Sequence, residues 1–260
     1  MNIPPLLLNE RYGDRYFDAV DALSEAKRIH IGNARIVERA GAAVNTLGMD
    51  VIDTDAVVAG NRKTFRIGET GFGAGRLLVA LLDSLDAGSV RGAVIDYNTV
   101  EIYPVSVERM ERILNIFESR AARHIRSVVE AYSRMDVTVP GFHTAAISGD
   151  YGVVNLNLYV GEAMGMAEAL GAPCAAWFLD GHAPKKNPDI WRAELMSAIG
   201  AKTEPGGTAT AFTVAGHVRR ALSAAGFSVE KVEGCGGKKE ALLGTFRGAA
   251  AACRPLSPYE

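Results

Sequence analysis

Acidic side chains recur in this chain at the ends of apolar runs, where an α/β sheet presents groups to a ligand. Glu69 closes the run Thr64-Phe65-Arg66-Ile67-Gly68 and is followed by Thr70-Gly71-Phe72-Gly73-Ala74-Gly75. A carboxylate in that place can hold an ammonium group, and Gly71, Gly73 and Gly75 let the backbone approach a ligand because no Cβ intervenes. Asp96 and Glu101 both fall in the next apolar stretch, and either offers the bidentate acceptor that matches two vicinal hydroxyls. Glu162 follows the alternating run from Val153 to Val160, as a ligand acceptor or as an acid favoured by a helix N-terminus. Asp180 ends the run Cys174-Ala175-Ala176-Trp177-Phe178-Leu179 and opens a loop carrying His182, Lys185, Lys186 and Asn187. A strand-end carboxylate can orient an amine and accept its proton, and His182 can assist as a base or stack on a substrate.

These groups need a frame. Phe65 to Glu69 reads as a short buried strand, the glycines as a turn, and Leu77 to Leu85 as a helix whose first N–H groups face the same space. Acid-x-Gly-x-Gly-x-Gly is not the dinucleotide spacing Gly-x-Gly-x-x-Gly. It is closer to the first motif of class I S-adenosyl-L-methionine (SAM) methyltransferases, whose ligand carries a methionine ammonium and no pyrophosphate. A second strand is expected within 91–104, one or two surface helices from Val107 to Tyr132, and a doubly buried parallel strand at Cys174 to Leu179. In such a frame Glu162 lies where the adenine amino group would need an acceptor.

The flanks are less regular. A helix is expected through Leu23 to Arg28, and Gly32-Asn33 between Ile29-His30-Ile31 and Arg35-Ile36-Val37 predicts a hairpin. Residues 1–60 are read as an N-terminal cap, 61–247 as the main domain and 248–260 as a frayed tail. Pro205-Gly206-Gly207-Thr208 predicts a turn before a strand at Ala209 to Thr213, and Val218 to Ala225 a helix. Ser228 to Val232 and Glu240 to Phe246 predict an antiparallel pair.

Composition narrows the partners. The 260 residues carry a formal net charge of -2, with 48% hydrophobic and 22% charged residues, which suits a globular core and gives no global positive field. Cys174, Cys235 and Cys253 make neither a metal pattern nor a disulfide framework. The first ten residues lack a basic region and a long apolar run, so no signal peptide, no membrane span and a cytoplasmic location are expected.

Several segments together resemble one family, the methyltransferase domain of the bifunctional tRNA 5-methylaminomethyl-2-thiouridine biosynthesis proteins, MnmC. They are Asp14-Arg15-Tyr16-Phe17, Gly68 to Gly75, Val100-Glu101-Ile102-Tyr103-Pro104, Pro140-Gly141-Phe142-His143, and above all Trp177 to Trp191 with its Leu-Asp-Gly-x-Ala-Pro-x-Lys-Asn-Pro core. Pro205 to Thr208, Ala215 to Arg220 and Lys238-Lys239-Glu240 complete the similarity. The resemblance implies a Rossmann-like seven-stranded sheet with helices on both faces, an antiparallel C-terminal strand pair and a small N-terminal cap. It implies SAM as cofactor, held by Glu69, Gly71, Phe72, Gly73, Gly75, Glu101, Glu162 and Asp180, and it selects Glu101 over Asp96. It implies N-methylation of 5-aminomethyluridine at the tRNA wobble position, with Asp180 as the catalytic acid–base group. The acceptor side would comprise His182, Lys185, Lys186, Asn187, Arg219, Arg220, Lys238 and Lys239, the cations meeting phosphates.

The family's FAD-dependent oxidase half is not in these residues, so a stand-alone form with neither flavin nor metal is expected. Arg76-Leu77 stands where the family has Leu-Asn, and His182 where it has phenylalanine. These departures and the acidic pI of 6.2 keep a small-molecule acceptor on the same scaffold as the alternative.

Overall fold

A computed structural model describes residues 5–17, 22–45, 64–236 and 239–248. Lys238, Cys253, residues 46–60 of the N-terminal cap and nearly all of the 248–260 tail lie outside the described residues.

The chain opens with a two-residue antiparallel ladder, β1 (Leu8–Asn9) with β2 (Asp14–Arg15). Next come α1 (Ala22–Ala26), a π-helical stretch Lys27–Gly32 and α2 (Ile36–Asn45). The hairpin expected at Gly32-Asn33 is therefore absent. Ile29, His30 and Ile31 are all buried; a strand with one face on the core would alternate, whereas three successive buried residues suit a helix enclosed on every side. Asn33 stays right-handed helical, and the break falls at Arg35, with φ 51°.

The main body follows as β3 (Phe65–Glu69), α3 (Arg76–Ala87), β4 (Ala93–Glu101), α4 (Val107–Leu114), α5 (Glu118–Ser133), β5 (Gly141–Gly149) and β6 (Gly152–Val160). It continues with α6 (Ala163–Ala169), β7 (Cys174–Leu179), α7 (Ala193–Ala201), β8 (Thr203–Ala211), α8 (Gly216–Ala224), β9 (Phe227–Glu233) and β10 (Glu240–Phe246). The sheet order is β5-β6-β4-β3-β7-β8-β10-β9. Strands β6, β4, β3, β7 and β8 run parallel, while β10 is antiparallel to both β8 and β9. The expected seven strands are present, and an eighth, β5, joins the edge antiparallel to β6. Gly141 thus starts a strand directly after Pro140. Pro205 to Thr208 likewise lies inside β8, as a bulge where the pairing jumps from Cys174–Thr203 to Ala176–Thr208.

The sheet separates two cores. On one face α3, whose Leu77 to Leu82 are each at most 1% exposed, packs with the N-terminal helices and α5. On the other, α6, α7 and α8 enclose Trp177, Trp191 and Leu195. Every residue of β7 is buried, as a central parallel strand requires. Chain order reverses between β3 and β7, so the carboxyl ends of those strands border the crevice where open α/β sheets bind ligands. Among the described residues no helix is long and apolar enough to cross a membrane.

Candidate active site

The turn after β3 is laced to both neighbouring strands. Thr70 donates its N–H to Phe178 O (3.1 Å) and its hydroxyl to Asp180 O (2.8 Å), both at the end of β7. Phe72 donates its N–H to Val100 O of β4 at 2.8 Å. Gly75 caps α3 with φ 81°, in the left-handed region that glycine enters without Cβ strain. A Cβ on Gly71 would stand 2.9 Å from the Asp180 carbonyl oxygen, so this close approach requires glycine.

Glu101 ends β4 half-buried, and each carboxylate oxygen accepts one backbone N–H, Oε2 from Gly73 and Oε1 from Tyr103, both at 2.9 Å. Burial pushes its pKa up, while those N–H donors pull it down by stabilising the anion. Each oxygen keeps lone pairs for a further donor. Glu69 differs. It is 1% exposed, accepts the Thr99 hydroxyl at 2.5 Å and lies under the cavity floor rather than in its wall. Burial raises its pKa to about 8, helped by the nearby Asp180 charge and opposed mainly by the Thr99 hydrogen bond. Of the residues expected to hold the cofactor, Glu69 is thus placed behind the wall that the others form, without direct access to the cavity.

Asp180 takes Gly181 N–H on Oδ1 (2.8 Å) and the Arg76 guanidinium on Oδ2 (2.9 Å). Beyond it, the loop is held against the N-terminal segment. The Asn9 amide donates to His182 Nε2 at 3.0 Å, which leaves the proton on Nδ1, 3.6 Å from Asp14 Oδ2. Tyr12 packs on the imidazole with ring centroids 4.6 Å apart, and Asp14 accepts Ala183 N–H. Burial lowers the His182 pKa, against an opposing pull from Asp14 and Asp180. The Trp191 indole donates to His182 O at 2.9 Å and fixes the far end of the loop.

Together these elements enclose a cavity of about 330 Å³. Gly71, Phe72, Gly73, Glu101, Glu162, Asp180, His182 and Asn187 line it, as does Thr70. Gly75 stands behind them at the head of α3. Lys185, Lys186, Arg219, Arg220 and Lys239 are exposed and outside the cavity wall. Sequence reasoning missed Asn9, Tyr12 and Tyr16 as wall residues, although Tyr16-Phe17 belonged to a recognised segment. It missed Arg76, Ile102 and Met164 as well, although Ile102 also belonged to a recognised segment.

A family-wide profile described as S-adenosyl-L-methionine-dependent methyltransferase matches residues 124–247. The chain is 33% identical over 240 residues to the tRNA 5-methylaminomethyl-2-thiouridine biosynthesis bifunctional protein MnmC of Ectopseudomonas mendocina, covering 92% of this chain and 33% of that protein. The MnmC of Caulobacter vibrioides is 35% identical over 233 residues, or 89% and 35% of the two chains. Over residues 124–247 the chain thus carries the signature of an S-adenosyl-L-methionine-dependent methyltransferase. This methyltransferase spans about a third of the length of the curated relatives it matches. Its fold is similar to the crystal structure of MNMC2 from Aquifex aeolicus, with a TM-score of 0.64 and 20% identity, over 97% of this chain and 68% of that one.

The cavity of the methyltransferase suits that cofactor. Glu101 offers two acceptor oxygens, already oriented by backbone N–H groups, to a ribose diol. Val100, Ile102 and Met164 give apolar wall beside Glu101 and Glu162, as an adenine needs. The glycine at 71 leaves a stretch of backbone open to the methionine portion.

Proposed function

We propose that this methyltransferase converts 5-aminomethyluridine, or its 2-thio form, at the tRNA wobble position to the 5-methylaminomethyl product. The observation that carries the reading is Asp180, a carboxylate in the cavity wall beside the glycine turn. The names of the relatives, aligned over about nine-tenths of this chain, supply the acceptor. When bound, SAM supplies an electrophilic methyl group on a sulfonium sulfur.

The residues do the rest by positioning and desolvation. Glu101 and Glu162 hold the nucleoside half, and Gly71, Phe72 and Gly73 flank the methionine half. An alkylamine is mostly protonated at neutral pH and is nucleophilic only without that proton. Asp180 orients the ammonium through lone pairs not used by Arg76 and Gly181, and accepts its proton directly or through water. His182 and Asn187 form the acceptor-side wall. Lys185, Lys186, Arg219, Arg220 and Lys239 lie on loops and the helix start at the carboxyl edge of the sheet, where they can meet tRNA phosphates. Lys238 completes that set in sequence. Residues 1–60 serve as a cap on a methyltransferase domain of residues 61–247, and the Asn9, Tyr12 and Asp14 contacts to the His182 loop support the capping role.

Mass spectrometry of nucleosides from tRNA bearing 5-aminomethyluridine, after incubation with protein and SAM, tests this. The 5-methylaminomethyl nucleoside is expected. Its absence, with an added amine methylated instead, would move the assignment to a small-molecule acceptor.

A further inference from the structure

Arg76 opens α3 and is 7% exposed. A cation in the first turn of a helix opposes the macrodipole, and burying a guanidinium is costly unless it is paired. Here it is paired. Nη2 meets Asp180 Oδ2 at 2.9 Å and Nη1 donates to Ala22 O at 3.1 Å. Its guanidinium carbon stands 5.8 Å from the centre of the Phe17 ring. One side chain thus joins the candidate catalytic carboxylate to the N-terminal segment, and it does so from within the cavity wall.

We propose that Arg76 is the positioning residue for Asp180: it fixes one carboxylate oxygen, and through Phe17 and Ala22 it makes that placement depend on a seated N-terminal segment. This rests on the reading of Asp180 as the group that meets the acceptor amine. Asp180 Oδ1 is held by its own loop through Gly181 N–H, so Arg76 is the contact that settles the rotation of the carboxylate. Guanidinium geometry matters, because lysine supplies the charge but not two donors diverging to Asp180 and Ala22.

The test uses R76K, R76M, D180N and R76M/D180N in the full chain, with kcat on 5-aminomethyluridine tRNA and calorimetric affinity for S-adenosylhomocysteine. R76M is expected to lower kcat by about tenfold or more while affinity for the cofactor product stays within about threefold, a loss confined to the reacting state. R76K should recover part of that loss, which a merely structural defect would not predict. The double variant should be no slower than D180N alone, because both changes remove one function. A crystal structure of R76K with S-adenosylhomocysteine should show the Asp180 carboxylate rotated from its place, a readout that needs no acceptor. If R76M fails to fold, R76K and the charge-balanced double variant carry the test. D180N impaired with R76K and R76M at wild-type kcat would overturn the proposal alone. D180N at wild-type kcat would overturn the Asp180 reading and this proposal with it.

Discussion

Replacing Glu69 by glutamine should make the protein more stable at neutral pH, although the position is the acid of its most recognisable motif. Glu69 is 1% exposed, and its pKa is pushed from the ordinary 4.5 to about 8. A carboxyl whose folded value is raised contributes full stability below the unfolded value and loses it as pH climbs toward the folded one. Between pH 4.5 and 7 that loss amounts to roughly 3 kcal/mol, at about 1.4 kcal/mol per pH unit. Glutamine does not titrate, and its carbonyl can still accept the Thr99 hydroxyl. Its amide can face Tyr97, a buried neighbour whose hydroxyl makes no hydrogen bond of normal geometry. Urea unfolding of wild type and Glu69→Gln at several pH values from 5 to 8 should give curves that diverge with rising pH. The variant should lead by about 2–3 kcal/mol at pH 7. Parallel curves across that range would refute the assignment of a neutral buried carboxyl at Glu69.

Other perturbations have equally definite outcomes. Gly71→Ala places a Cβ 2.9 Å from the Asp180 carbonyl; calorimetry should show SAM affinity reduced by about tenfold or more, roughly 1.4 kcal/mol, with the fold retained. Gly68→Ala drives a methyl to 2.4 Å from the Trp177 ring, and denaturation should show a loss of about 1–3 kcal/mol from overpacking. His182 has a depressed pKa because it is buried, so its stabilising contribution is present above the ordinary value of 6.5 and is lost as pH falls below it. Thermal unfolding between pH 7.5 and 5.5 should show this decline in wild type and a weaker one in His182→Phe.

The sheet was legible because its central strands carry their own signature. Cys174 to Leu179 has no polar interruption and is buried on both faces, and the chain from Phe65 to Leu82 passes from strand to glycine turn to apolar helix without ambiguity. Position alone left Asp96 and Glu101 equal and the resemblance selected Glu101, which lies in the cavity wall with Gly73 and Tyr103 N–H groups on its carboxylate. What failed were readings that need tertiary partners. Gly32-Asn33 is a turn signal only when its flanks are half-exposed, and Ile29, His30 and Ile31 are enclosed on all sides. Phe142 and His143 gave no strand signal by themselves, because the edge strand exists through its pairing with Tyr159 and Leu158. Arg76 registered only as a departure from a pattern. Its partner Asp180 lies 104 positions away and meets it only after β3 and β7 pair. Glu69 was placed in the right element, but burial depth is not written in a motif, and a residue's distance from the cavity wall depends on how the floor packs.

The most direct test of the central claim, that the crevice edged by Glu101 and Asp180 holds the cofactor, is isothermal titration of wild type and Glu101→Gln with S-adenosylhomocysteine. Wild type should bind at one site, and the variant about tenfold or more weakly, since one acceptor oxygen for the ribose diol is exchanged for an amide. No heat from wild type, or equal affinity in the two proteins, would contradict it.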